Sequence, residues 1–282
     1  MEKVFLNNKL VDACDAKVSI SDSGFLYGMG LFETMRAVEG KVFALDDHLD
    51  RLFASAEKLS IFNPHSREFI GDAIGQVLEA NELEDARIRL TLTSGPMNVG
   101  ADEEPEPTLV ITATDFAPYP AEFYDKGVKV IISDYRQNPL DPATGHKTIN
   151  FFSRLMVLKD AHKKQAAEAV WFTNDNLVAE GCVSNVFIVK DGKVFTPKTS
   201  TPVMPGIARK HVLGLAKAEG IDAQEKDLTI NDLLGADEIF VTNVIMKVLP
   251  VIAVEAHDVG EGKPGEVTKT LLDMFNKQLG SV

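Results

Sequence analysis

Ala117-Pro118-Tyr119-Pro120 constrains this chain more than any other stretch. Two prolines one residue apart remove two backbone donors and hold the residues before them away from helical angles. The spacing predicts an extended connector over 117–126, a smaller N-terminal domain over 1–116 and a larger domain over 127–282. With 282 residues, two medium domains can each bury a core. Internal repeats and low-complexity segments are absent from the sequence.

Before the connector, Val4-Phe5-Leu6 and Lys9-Leu10-Val11 flank the turn pair Asn7-Asn8. Residues 31–38 and 41–45 read as a hairpin closed at Glu39-Gly40, with Phe32, Thr34 and Arg36 on one face and Glu33 and Met35 on the other. Asp46 or Asp47 is placed to cap a helix whose Leu49, Leu52, Phe53, Ala56 and Leu59 form an apolar stripe, with Arg51 off the stripe. A second helix is expected over 66–80. Strands follow over 87–93 and 108–113, joined by an acidic loop near Asp102 to Pro107. Arg87, Arg89, Thr91 and Thr93 share one strand face, polar enough for solvent or for a polar pocket.

After the connector the pattern gives a strand over 128–132, a helix over 151–168, and hairpins over 169–180 and 185–196, the latter turning at Asp191-Gly192. A helix over 205–219 ends at Gly220, strands follow over 238–242 and 249–253, and an amphipathic helix runs from about Pro264. Both halves are therefore expected to be α+β.

A net charge of −13 and a pI near 4.9 exclude a general nucleic-acid or anionic-membrane surface, which needs a basic face. Neither a signal-peptide run nor a stretch of roughly 18 apolar residues is visible, so a cytoplasmic protein is expected. Cys14 and Cys182 form no CxxC pair and the six histidines show no ligand spacing, so neither a disulfide framework nor a metal site is expected.

Three features carry chemistry. Lys147, between Gly145 and Thr148-Ile149-Asn150-Phe151-Phe152, has less polar neighbours than Lys163 and Lys164; a desolvated lysine can form a Schiff base and then move a proton. Glu180 precedes Gly181 at a strand end, where a carboxylate could keep a pyridine nitrogen protonated. Gly206-Ile207-Ala208 starts a helix, and its unpaired N–H groups suit a phosphate. The residues alone leave open a surface lysine, an edge-strand glutamate, a solvated Arg51 and an ordinary helix start.

Taken in order, Tyr27-Gly28-Met29-Gly30-Leu31-Phe32-Glu33, His48-Leu49-Asp50-Arg51-Leu52, Lys147-Thr148-Ile149-Asn150, the run from Glu180 to Phe187, Gly206-Ile207-Ala208-Arg209 and Phe240-Val241-Thr242-Asn243 resemble the fold-type IV, or class IV, aminotransferases that use pyridoxal 5′-phosphate. The family includes branched-chain and D-amino acid aminotransferases and 4-amino-4-deoxychorismate lyases. The resemblance implies a smaller N-terminal α/β domain, a larger C-terminal mixed domain with the cofactor between them, and a homodimer whose two subunits both reach each site. It gives Lys147 the Schiff-base and proton-transfer role, Glu180 the pyridine nitrogen, and Arg51 and the N–H groups of Ile207 and Ala208 the phosphate, with Asn185 nearby in the cofactor site. Ala208 and Val244 stand at phosphate positions where the family often has hydroxyls. Phosphate is accordingly expected on Arg51 and backbone amides, with Asn243 as a substitute.

The same resemblance puts Tyr27, Phe32, Thr34, Arg36 and Arg89 at the substrate, a pocket of branched-chain type. Residues 94–100 have neither the arginine nor the histidine of a D-amino acid enzyme, which disfavours that specificity. The expected reaction is a ping-pong transfer of an amino group from an amino donor to a 2-oxo acid. Two alternatives stand beside it: a lyase releasing pyruvate, in which Thr34 assists Lys147, and a non-catalytic protein that binds the cofactor or another small ligand.

Overall fold

Strand alternation organises the first of two units in the computed structural model, which describes residues 2–96 and 106–281. Residues 97–100 and most of the acidic loop that follows them lie outside the described residues. The unit contains β1 (Lys3–Leu6), β2 (Lys9–Asp12), α1 (Ser23–Tyr27), β3 (Gly30–Val38), β4 (Lys41–Val42), α2 (Leu45–Lys58), α3 (Arg67–Ala80), β5 (Ala86–Thr93) and β6 (Thr108–Asp115). Its sheet runs β2-β1-β6-β5-β3-β4. One face carries Leu31, Met35, Ile88, Leu90, Leu92 and Ile111 against Leu49 and Leu52 of α2 and Ile70, Ile74 and Val77 of α3. Each such side chain contributes about 1.5–3 kcal/mol on burial. Phe32, Thr34, Arg89 and Thr91 occupy the opposite face, as the register Phe32↔Thr91 and Thr34↔Arg89 requires.

Two local expectations are corrected here. α2 starts from Ala44, whose φ of 51° is left-handed and which caps nothing with its side chain. Asp46 and Asp47 lie inside the first turn instead, where their charge suits the helix dipole. α1 is absent from the expected elements, because its Phe25, Leu26 and Tyr27 are exposed and give no apolar period. It is held by Asp22, a 1% exposed carboxylate that accepts from the N–H groups of Gly24 and Phe25 and the hydroxyls of Thr93 and Thr108.

β4 pairs only with Ala37 and Val38, which leaves the start of β3 open along one side. Residues 147–149 fill it: Phe32 N–H donates to Lys147 O at 2.9 Å, Ile149 N–H to Gly30 O at 2.9 Å, and Leu31 bridges Thr148 antiparallel. His146–Asn150 therefore groups with the first unit, which otherwise ends at Ala117. A boundary drawn from the prolines alone leaves these five residues in the domain over 127–282, because local composition does not register a strand added from far along the chain.

The second unit comprises Pro118–Gly145 and Phe151–Ser281. Its elements are α4 (Ala121–Lys126), β7 (Val128–Gln137), α5 (Phe152–Lys163), β8 (Glu168–Thr173), β9 (Val178–Gly181), β10 (Asn185–Lys190), β11 (Lys193–Thr196), α6 (Ile207–Ala218), β12 (Ala223–Glu225), α7 (Ile230–Leu234), β13 (Glu238–Asn243), β14 (Lys247–Val254), β15 (His257–Asp258) and α8 (Glu266–Leu279). The sheet order is β12-β11-β10-β13-β14-β7-β8-β9, with β15 on β14. β7 lies parallel to both β14 and β8, so this sheet is mixed. Val170, Val186, Ile239, Val241 and Leu249 form its core.

The connector is not extended throughout. Pro120 is the N-cap of α4, an end position where a missing N–H costs nothing, and Tyr119, Phe123 and Tyr124 pack on the second core. α5 stops at Lys163, short of residue 168, because Gln165 takes a left-handed φ of 57°. Among the described residues no helix is long and apolar enough to cross a membrane.

Gly30 tests the packing of the edge segment. A Cβ there would lie 2.7 Å from Leu92 O and 2.9 Å from Ile149 Cδ1, whereas one on Gly75 in α3 would meet nothing within 4 Å. In urea denaturation Gly30→Ala is expected to lose about 1–3 kcal/mol. Gly75→Ala is expected to gain about 0.5–1 kcal/mol.

Candidate functional site

Pairing with β3 fixes which way Lys147 points. Opposite Phe32 in register, it shares the Phe32 face, and its Nζ stands 4.4 Å from the Phe32 ring centroid. The Arg89 guanidinium lies 3.5 Å from the same centroid, and its Nε donates to Thr91 Oγ1 at 3.3 Å. Burial, and then the charge of Arg87, bring Arg89 down to about 10, so it remains a cation at neutral pH. One aromatic ring thus gathers a lysine and an arginine, with Thr34 beside Arg89 across the strands. Such a face favours an anion.

Two other predicted substrate residues stand apart. Arg36 is four residues along the strand from Phe32, roughly 13 Å at the usual rise. Its guanidinium pairs with Asp85 at 3.0 Å, stacks on Phe116 at 3.5 Å and donates to Ala37 O and Ala86 O. A structural ion pair at the far end of the strand replaces the substrate contact expected of it. Tyr27 is 63% exposed on α1.

The other face of β3 holds Glu33, whose side chain is 1% exposed. Arg51 meets it with two donors, Nε to Oε1 at 2.8 Å and Nη2 to Oε2 at 2.5 Å, and His48 Nδ1 lies 2.7 Å from Oε2. Burial alone would raise the Glu33 pKa, but the charge of Arg51 and the hydrogen bonds from His48 and Arg51 bring it down to about 2. Burial lowers His48, and the charges of Arg51 and Lys147 lower it further, against the opposing pull of Glu33. A neutral imidazole facing a carboxylate donates from Nδ1, which makes this contact a hydrogen bond and not an ion pair. Nothing local singles out Glu33 or His48 in the sequence, since an inward acidic residue on an alternating strand looks like a misplaced surface one.

In the second unit Glu180 is 3% exposed. Its Oε1 accepts from Arg154 Nη2 at 2.7 Å and Gln137 Nε2 at 3.3 Å, and its Oε2 from Met204 N–H at 2.9 Å. Arg154 also donates to Gly181 O at 2.7 Å and lies 5.0 Å from the Trp171 ring centroid. Sequence reasoning misses Arg154 and Gln137; a polar residue on a helix or near a strand end carries no mark of the carboxylate it will meet.

Asn185 donates through Nδ2 to Met204 O at 2.9 Å. A Cβ on Gly206 would lie 1.9 Å from Asn185 Oδ1, so only glycine lets α6 start there. No side chain caps that helix end, where Ile207 and Ala208 present their N–H groups. Asn243 is not the substitute for a hydroxyl expected of it. Its Nδ2 donates to Val183 O at 3.0 Å, and its Oδ1 accepts from Ile245 N–H at 2.9 Å and Met246 N–H at 2.8 Å, closing a turn. Val244 is buried and apolar. Among the described residues no group of three or more His, Cys, Asp or Glu is placed to hold a metal.

Comparison with known proteins supplies the rest. Residues 30–254 match the family model described as amino-transferase class IV. A Methanocaldococcus jannaschii protein, provisionally named a branched-chain-amino-acid aminotransferase, is 37% identical over 97% of this chain and 95% of its own. The D-alanine aminotransferase of Listeria monocytogenes is 31% identical over 98% of this chain and 96% of its own. The branched-chain amino acid aminotransferase of Escherichia coli superposes with a TM-score of 0.92 at 30% identity, covering 98% of this chain and 94% of that one.

Acid should expose the Glu33 contribution. Because the folded pKa of about 2 lies below the ordinary 4.5, the stabilisation is complete above pH 4.5 and lost as pH falls towards 2. Glu33→Gln is expected to flatten urea stability across that window and, by leaving Arg51 buried without its carboxylate, to cost about 3–5 kcal/mol at neutral pH.

Proposed function

Since this chain belongs to the class IV aminotransferases, and is thus an enzyme of transamination, we propose that it uses pyridoxal 5′-phosphate to move the amino group of a branched-chain L-amino acid to a 2-oxo acid. The observation that carries the donor reading is the Lys147 and Arg89 pair on the Phe32 ring. It sets a nucleophilic amine beside a fixed cation, the two groups that a bound α-amino acid needs at its Cα and its carboxylate.

The residues present fit the cofactor. Gly206 lets the Asn185 carboxamide lie against the α6 start, that start has no side-chain cap, and Glu180 is a buried carboxylate held in one orientation by Arg154, Gln137 and Met204. When bound, the cofactor supplies an electron sink for the charge left when a proton leaves the donor Cα. Lys147 Nζ would take that proton and later give it up, acting as base and then acid. Glu180 would hold the cofactor's pyridine nitrogen in its protonated form. Arg51, oriented by Glu33, would hold phosphate, a role that the N–H groups of Ile207 and Ala208 would also serve. Arg89 takes the α-carboxylate, and Phe32 and Thr34 form the wall beside it.

A second copy of the chain completes the site in this reading. Ile20, Phe25 and Tyr27 are 80%, 72% and 63% exposed, and Leu140 and Phe152 are 89% and 76% exposed. Large apolar side chains clustered along short stretches favour cover by a partner.

Two measurements follow. Purified protein is expected to absorb near the visible edge and lose that band with L-leucine, L-valine or L-isoleucine, regaining it with a 2-oxo acid; a response confined to D-alanine would overturn the donor assignment, and pyruvate release from aminodeoxychorismate would favour the lyase. Lys147→Ala is expected to abolish both band and turnover, and a retained band would remove Lys147 from its role.

A further inference from the structure

One buried group near the start of α6 is unexplained by the roles above. Thr242 is 1% exposed, and its Oγ1 has no hydrogen-bond partner among the described residues. A buried hydroxyl left unpaired is costly, and valine would occupy the same strand position at less expense. Such an atom asks what would complete it.

Register answers where it points. Thr242 on β13 stands opposite Asn185 on β10, so their side chains rise from the same sheet face with Cβ atoms about 4.5–5.5 Å apart. Asn185 in turn abuts Gly206, where an added Cβ would meet its Oδ1 at 1.9 Å. Gly206 is the N-cap of α6, a 12-residue helix whose start no side chain caps. The unpaired hydroxyl, the Asn185 carboxamide and the open helix end therefore meet on one face of one unit. One Asn185 Nδ2 proton goes to Met204 O, and the Thr242 hydroxyl remains beside it as an unpaired donor. Asn243, the next residue, turns to the other face and is spent on backbone groups, while Ala208 and Val244 have no hydroxyl to offer.

We propose that Thr242 is a phosphate-binding residue of this protein: its Oγ1–H donates to an oxygen of a phosphorylated ligand seated at the first turn of α6, beside the N–H groups of Ile207 and Ala208. The proposal rests on the cofactor reading above and adds to it a ligand-binding side chain. It also accounts for the cost of the hydroxyl, which is unpaired only until phosphate arrives.

The test compares pyridoxal 5′-phosphate with pyridoxal, which has the ring and aldehyde without the phosphate. Thr242→Val keeps shape and removes the donor. It is expected to raise the dissociation constant for pyridoxal 5′-phosphate about tenfold or more, leave that for pyridoxal within about twofold, and melt no lower than wild type as the apoprotein. Thr242→Ser is expected to bind both compounds as wild type does. Thr242→Ala, read by the same ratio of the two constants, serves where valine disturbs folding. Tight binding of pyridoxal 5′-phosphate by the valine and alanine variants, equal to wild type, overturns the role of Thr242 and leaves the cofactor reading standing. Failure of the wild-type protein to take up pyridoxal 5′-phosphate overturns both.

Discussion

Period-two alternation along β3 governs how the first unit can work. Phe32 and Glu33 are neighbours in sequence and face opposite sides of the sheet, so one strand serves the apolar core and a second, mixed face at once. A slip of one residue against β5 would put Glu33 on the face of Arg89 and Phe32 under α2. The full ladder from Gly30↔Thr93 to Ala37↔Ala86 forbids that slip. The positions of Lys147, Arg89 and Thr34 all inherit this register.

Buried charge is handled in two ways. Glu33 is met from α2 by a two-donor arginine and a neutral histidine, all within one layer. Glu180 is met by an arginine, an amide side chain and a backbone N–H drawn from three separate stretches. At Glu33 the opposing cation makes ionisation tolerable where burial opposes it. The difference lies in reach. Glu33 faces α2 and acts on the protein's own Arg51, while Glu180, one residue before the end of β9, draws its partners from separate stretches of the second unit.

Much of the fold is legible in the sequence because the long elements carry clear periods. β3, β5, α2, α3 and the two hairpins of the second unit fall close to where alternation and apolar stripes place them. The misses share a physical cause. α1 and α4 are short and are fixed by contacts distant in sequence, Asp22 with Thr93 and Thr108 in one and Tyr124 with Met246 in the other. The candidate site is legible wherever a residue type is unusual for its place, as with Lys147, Glu180 and Gly206. It is illegible where the meaning of a residue comes from its partner. Strand parity puts Arg36 on the face of the expected pocket, but parity is blind to distance along the strand. Asn243 looks like a free donor because nothing local shows that its amide closes a turn.

The segment at the open side of β3 has one further effect. A strand end with unpaired N–H and C=O groups is a template on which another chain can add itself, the first step of edge-to-edge polymerisation. β4 shields only the far end of β3, and residues 147–149 occupy the near end. The same two hydrogen bonds that orient Lys147 therefore also withdraw the Gly30 carbonyl and the Phe32 N–H from pairing with another chain.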